Sequence, residues 1–560
     1  MEILRIENLS FTYPKNDKKA LDNVSFSIEE GDFVLVCGSS GSGKTTLLRT
    51  LKPEIAPYGE KNGKILFCGE ELSSLNSLKT AGEIGFVSQQ PEQQIVTDTV
   101  EEELSFGLCG ICTDREKIRR RVGEVVGYFG IEGMLGKKTS ELSGGQKQML
   151  CLASVMAMNP RVLILDEPTS QLDPISAVEF IFALKRLNRD MGLTVIISEH
   201  RVEELFVAAD KIAVFDSGCL ISFGSPYSVG EYLASSPKAE RASLMLPCAT
   251  KIFRGTGGVG RAPLTVRDGR EYINKNFKNG VCKKVVPGAQ AHEKADVAVR
   301  LDKVCFKYGR ERPYVLYDCS AEINRCEIFA VLGGNGSGKT TLLSIISGLE
   351  KPISGKVDIL GKNINKYKGN SLYRGVLSAL PQDPQELFIG ESGREEIEQV
   401  CQDKEKAEAM ARTLEIDGLL DRHPYDLSGG EQQRLALCEV LLTEPKILLL
   451  DEPTRSIDAF YKKVLAEKLR ALKNDGVTVI MVTHDTEFAA EVADRCAMLF
   501  GGELTPGERP EEFFSENDFY TTQAARISRG SFENAVTPEQ VIGLCQKNKA
   551  MEHERQNEKK

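Results

Sequence analysis

The chain has 560 residues, a formal net charge of −10 and 41% hydrophobic residues, with 15 cysteines and 5 histidines. That length suits two or more domains, each able to bury its own core. An acidic balance with both signs mixed along the chain argues against a nucleic-acid-binding face, and irregularly spaced cysteines argue against a disulfide framework.

No apolar run reaches the ~18 residues of a bilayer span. The start, MEILRIENLSFTYP, has no basic segment leading into an apolar one, so no signal peptide is expected. Cys37 in FVLVCG and Cys438 in LALCEV lie in apolar runs and read as reduced structural thiols. The basic stretch KIRRR (117–121) reads as a solvated helix face. The pair Cys109–Cys112 has no second pair or histidine beside it, so it reads as neither a metal nor a redox motif.

In chain order, FVLVCG (33–38) is a short buried strand ending in glycine, and TTLLRTL continues with helical spacing. Between them GSSGSGKTT forms a phosphate-binding loop. Gly38, Gly41 and Gly43 let successive N–H groups turn inward, Lys44 brings a point charge, and Thr45 offers a hydroxyl to Mg²⁺, with Thr46 beside it. LSGGQ follows at 142–146. RVLILD (161–166) and TVIIS (194–198) are continuous apolar runs, as strands buried on both faces should be. Asp166 and Glu167 end the first of these. A carboxylate there can orient the Mg²⁺ shell and the next can act as general base toward a water. His200 follows the second run, where it can bond a terminal phosphate.

The whole scheme then recurs. Tyr13 returns as Tyr308 and Lys44 as Lys339 with one offset. LSGGQ returns as LSGGE (427–431), and LILDEPT (163–169) as LLLDEPT (448–454), with a shorter one. The chain is therefore a duplication whose middle segment is shorter in the second half. The second phosphate loop holds Gly333, Gly336, Gly338, Lys339, Thr340 and Thr341; Asp451, Glu452 and His484 complete it. Strand, loop, helix and further buried strands predict an α/β fold with a largely parallel sheet in each half. The expected domains are 1–235 and 296–530. A Gly- and Pro-rich linker is expected over 236–295, on GTGGVGRAP and VPGAQ, and a polar tail over 531–560, whose last residues QKNKAMEHERQNEKK read as a frayed helix or a disordered segment.

The ordered set resembles the ATP-binding-cassette ATPases over nearly all of both halves. It comprises the phosphate loop, a glutamine in VSQQP (Gln89) or LPQDP (Gln382), LSGG[QE], the DEPT box, Asp173 or Asp458 after it, and the histidine. The resemblance implies a RecA-like core with a helical subdomain and a small antiparallel β region. It implies adenine stacking on Tyr13 and Tyr308, and Gln89 and Gln382 at the Mg²⁺ side. It also implies pairing of the two cassettes: Ser428, Gly429, Gly430 and Glu431 would close on the nucleotide of Lys44, and Ser143, Gly144, Gly145 and Gln146 on that of Lys339. Absence of an NKxD string favours ATP over GTP. Met149 departs from the usual arginine that Arg434 keeps, and Arg455 replaces a small residue where Ser170 stands in the first half.

PEQQIVTDTVEEELSFGL (91–108), SEHRVEEL (198–205) and FYTTQAARISR (519–529) resemble energy-coupling factor transporter ATPases, the vitamin and cobalt uptake type. That implies a motor at the cytoplasmic membrane face, working with a transmembrane coupling subunit and a substrate-capturing membrane subunit, and no nucleic acid. Two alternatives remain at this stage: the double ATPase of a sugar or peptide importer, and a soluble twin-cassette ATPase acting on ribosomes or DNA.

Overall fold

The apolar runs without alternation become the centres of two six-stranded sheets. The computed structural model describes residues 1–14, 18–111, 114–170, 172–199, 202–236, 239–277, 282, 284–285, 296–455 and 457–558. In the first unit, Met1–Pro247, the sheet runs Cys219–Gly224, Lys211–Asp216, Phe33–Gly38, Thr194–Ser198, Val162–Asp166, Ile84–Val87. All neighbours are parallel except the antiparallel edge Cys219–Gly224. Every residue of Phe33–Gly38, Val162–Asp166 and Thr194–Ser198 is buried, which is why these strands show no period of two.

The second unit, Cys248–Lys560, repeats the order as Glu503–Leu504, Arg495–Phe500, Ile328–Leu332, Thr478–Val482, Ile447–Asp451, Leu377–Leu380. Each unit adds a four-stranded antiparallel sheet: Leu21–Glu29, Glu2–Thr12, Glu60–Phe67, Glu70–Glu71, and Leu316–Asn324, Val297–Phe306, Ser354–Ile359, Lys362–Asn363. In the first unit this sheet turns Ile3, Leu4, Ile6 and Leu9 onto a core shared with Val34, Val36 and Leu47, so the phosphate loop is framed by two packed sheets.

A helical subdomain sits between loop and DEPT strand. In the first unit Val100–Ile111, Arg115–Phe129 and Gly144–Ala157 bury Leu104, Val126 and Leu150 together. In the second, the counterparts of the first two helices shorten to Gly393–Val400 and Lys404–Thr413. This is where the repeat loses length.

The expected linker is corrected, and the tail is helical and packed. Helices Cys248–Gly255 and Val266–Phe277 lie within 236–295, and within 531–560 the helix Pro538–Glu558 is formed, as one of the two readings of the tail has it, with Gln523–Ser528 just before it. Together they enclose a core of Ile252, Ile273, Phe277, Ile527, Val541 and Leu544. The glycines and proline of 255–263 mark only the connection between two helices, and the apolar periodicity on either side outweighs them. VPGAQ lies outside the described residues, as do Cys112 and His200. Among the described residues the cysteines are free thiols. Burial pushes Cys37 and Cys438 up to about 12, which suits packing and not nucleophilic chemistry.

Candidate functional site

The first phosphate loop joins strand Phe33–Gly38 to helix Lys44–Thr50. A Cβ on Gly38 would fall 2.1 Å from the Phe215 carbonyl oxygen, and one on Gly43 2.3 Å from that of Ala20. Gly41 has open space around it but a φ of 71°, so glycine is needed there for its backbone. The Lys44 ammonium, 5% exposed, donates to the carbonyls of Gly38 (3.0 Å) and Ser39 (2.9 Å). Lys339 does the same with Gly333 (2.8 Å) and Gly334 (3.0 Å). Gly336 (φ 75°) and Gly338 (φ 102°) shape the second loop, where a Cβ on Gly333 would meet Leu499 at 2.6 Å. Ser42 Oγ and Ser337 Oγ are buried in these loops with no hydrogen-bond partner. Such loops, lined by turned-in backbone and one ammonium, fit phosphate oxygens.

Facing the first loop, the Thr45 hydroxyl donates to Asp166 Oδ1 at 3.1 Å, and the Ser198 hydroxyl donates to the same oxygen at 2.8 Å. Burial pushes the Asp166 carboxyl up, reinforced by Glu167 beside it. In the second unit Asp451 is 3% exposed and its Oδ1 has no partner. Burial raises its pKa to about 6, with the Thr340 hydroxyl pulling the other way. A threonine hydroxyl and an aspartate, oxygen donors only, fit a hard divalent cation such as Mg²⁺.

Glu167 and Glu452 both take left-handed backbone, at φ 44° and 49°, unusual for residues with a side chain. The turn is pinned from the neighbouring strand, by Ser198 O at 3.1 Å in one unit and Val482 O at 2.9 Å in the other. Each carboxylate is held by neighbouring side chains. Gln89 Nε2 donates to Glu167 at 2.8 Å. Glu452 meets His484 Nδ1 at 2.8 Å, accepts from the Thr483 hydroxyl at 3.2 Å, and has Lys339 at 3.9 Å. Burial would push Glu452 up, but the charge and hydrogen bonds of His484 outweigh it and hold the pKa lowered. Gln382, expected to match Gln89, is exposed.

Tyr13 and Tyr308 are placed alike. Each ring meets a phenylalanine edge-on at 5.0 Å, Phe11 or Phe306. Each hydroxyl pairs with a threonine of the loop helix, Thr46 at 3.0 Å or Thr341 at 2.9 Å. Tyr308 is 55% exposed, leaving ring area free for a flat ligand.

The LSGG strings open helices Gly144–Ala157 and Gly429–Leu442. Ser143 Oγ accepts the Gln146 N–H at 3.3 Å, while Ser428 Oγ donates to the Glu431 carboxylate at 2.8 Å. Gly144, Gly145, Gly429 and Gly430 form the first turns. Asp173 and Asp458 cap the helices after DEPT. Met149 packs against the apolar helical core, and Arg434 lies 3.9 Å over the Tyr461 ring.

Ser198 and Thr483 went unnoticed in the sequence. Aligning TVIIS with TVIMV pairs Ser198 with Val482 and Glu199 with Thr483, and that comparison alone could have found them.

The profile of the ABC transporter family matches residues 21–170 and 316–455. The chain is 39% identical over 547 residues to an ABC transporter ATP-binding protein of Bacillus anthracis, covering 97% of this chain and 98% of that one. It is 32% identical over 541 residues to another from Methanosarcina mazei, covering 92% and 90%. Its fold is similar to an archaeal ribosome recycling factor solved with a ribosomal stalk protein, with a TM-score of 0.58 over 91% of each chain at 21% identity. That likeness concerns the fold alone. The chain belongs to the ABC transporter family: it is an ATP-binding protein with two cassettes, and an ATPase.

Proposed function

We propose that this chain is the ATP-hydrolysing motor of an energy-coupling factor type importer, driving uptake of a micronutrient through separate membrane subunits. Each cassette holds ATP with its loop glycines and lysine, and stacks adenine on Tyr13 or Tyr308. Glu167 and Glu452 accept the proton of the attacking water, and His484 orients Glu452. His200 is assigned the matching task in the first cassette. Thr45 with Asp166, and Thr340 with Asp451, would hold Mg²⁺, with Gln89 and Gln382 at its outer side; when bound, Mg²⁺ neutralises phosphate charge. The LSGG string of each cassette would close over the nucleotide of the other, as the resemblance implies.

The observation that carries the transport reading is the bond from Gln89 to Glu167. It ties the proposed base to the segment just downstream. That segment exposes Val96 (62%) and Phe106 (59%), large apolar residues suited to a partner. No helix among the described residues is long and apolar enough to cross a membrane, so the translocation path would belong to partners. The peptide 91–108 and the SEHRVEEL stretch favour the energy-coupling type over other importers.

The test is reconstitution. The chain is co-purified with candidate coupling and substrate-capturing subunits, placed in vesicles, and ATP-driven uptake of the captured small molecule is measured. Phe106→Asp should abolish stimulation of ATPase by the membrane subunits. Association with ribosomes in place of membranes would refute the importer reading.

A further inference from the structure

We propose that Ser198 is a positioning residue that makes the divalent cation bind more weakly at the first nucleotide site than at the second, where Val482 takes its place. The inference rests on the reading that both cassettes hold ATP with a divalent cation.

The chain supplies its own comparison. In the first sheet Asp166 pairs with Ser198 across neighbouring strands, and in the second Asp451 pairs with Val482. The two positions are equivalent in the fold and differ in chemistry. Ser198 Oγ donates to Asp166 Oδ1 at 2.8 Å and accepts the Glu167 N–H at 3.1 Å. Its proton is therefore directed at the carboxylate and its lone pair at the backbone. Thr45 donates to the same Asp166 oxygen at 3.1 Å.

The Val482 side chain can donate nothing. Asp451 Oδ1 is left buried and unpartnered, and this carboxyl has only the Thr340 hydroxyl where Asp166 has both Thr45 and Ser198. A buried carboxylate oxygen without a donor lacks stabilisation that a cation can supply, whereas one already holding two O–H bonds has part of its charge satisfied. Thr45 is itself a candidate ligand and can turn toward the cation. Ser198 is held by the Glu167 backbone and stays.

The next position strengthens the contrast. Glu199, 2% exposed, accepts both the N–H (2.8 Å) and hydroxyl (2.7 Å) of Thr169 and so serves the turn after DEPT. Its counterpart Thr483 donates to Glu452. The hydroxyl at the end of this strand thus serves the metal-side aspartate in the first cassette and the water-side glutamate in the second.

The full-length chain tests this with an ATP analogue carrying a fluorescent ribose label, titrated with Mg²⁺. Lys44→Ala leaves the second site, and Lys339→Ala leaves the first. The half-saturating Mg²⁺ concentration should be about tenfold higher at the first site, the scale expected for a hydrogen bond to a charged group. Ser198→Val beside Lys339→Ala should lower it, and Val482→Ser beside Lys44→Ala should raise it. Mn²⁺ binding followed by electron paramagnetic resonance should show the same order. Equal Mg²⁺ dependence at the two sites, or exchanges that shift nothing or shift the wrong way, would overturn this inference alone. Analogue binding untouched by either lysine substitution would overturn the ATP-site assignment, and the inference with it.

Discussion

Glu452 and His484 meet at 2.8 Å through Oε2 and Nδ1, both more than nine-tenths buried, and this pair holds the Glu452 carboxyl ionised inside the second cassette. Without it, burial would push the carboxyl up against the weaker pull of Lys339. In a chain whose first site is silenced by Glu167→Gln, His484→Gln should therefore move the acid limb of the pH–rate profile upward. Activity near neutral pH should fall more than activity in mild alkali. An unshifted acid limb would separate Glu452 from the role of base.

The same pair bears on stability. Glu452 has a folded pKa below its ordinary 4.5, so its contribution is present above that value and is lost as pH falls through the lowered one. His484→Ala should weaken the native state at neutral pH by about 2–4 kcal/mol, since it leaves a buried carboxylate short of a partner. Urea unfolding at neutral pH measures this.

Glu439 gives a pH dependence of opposite sign. It is 6% exposed, its Oε1 has no partner, and burial with Glu396 nearby raises it to about 8 from 4.5. The folded state then holds a proton that the unfolded chain releases between those values, so stability falls as pH rises from 4.5 toward 8. Glu439→Gln should flatten that slope and stabilise the second unit near pH 8 by about 1–3 kcal/mol. Denaturant unfolding near pH 5 and near pH 8 would show it. A variant that is no more stable at the higher pH would contradict the burial account.

Tyr308 stands over the second loop with its hydroxyl on Thr341 and its ring exposed. Tyr308→Ala should weaken ATP binding at that site by about 1–3 kcal/mol, the scale of base stacking on an aromatic ring. Tyr308→Phe should retain most of the affinity. Binding of the labelled analogue in a Lys44→Ala background reads this directly.

Much of the candidate site's backbone was legible because a phosphate-binding loop constrains local sequence. Gly38, Gly41 and Gly43 answer to steric and φ demands that leave few alternatives, and the strands before Lys44 and Asp166 are buried on both faces. The helices at 248–277 and 538–558 were not legible. Their apolar residues, such as Ile273 and Leu544, are diluted by charged neighbours, and they bury each other only because segments far apart in sequence meet. The Ser198–Val482 contrast was hidden for another reason. A single hydroxyl at the end of a strand carries no pattern until its partner across the sheet is known.

Leu544→Ala tests that hidden core. Leu544 is 5% exposed, in contact with a cluster including Ile252 and Ile527. Its truncation should cost about 2–5 kcal/mol in the second unit. A cost within ~0.5 kcal/mol, the range of surface substitutions, would show that the terminal helix is not packed as described.

On the proposed function, one chain carries two competent ATP-hydrolysing sites, each with its own lysine and glutamate. Steady-state ATPase of Glu167→Gln, Glu452→Gln and the double variant tests it most directly. Each single replacement should lower total turnover, and the double variant should lose about 10²–10⁴-fold, the share general-base catalysis contributes. Undiminished turnover in either single variant would contradict it.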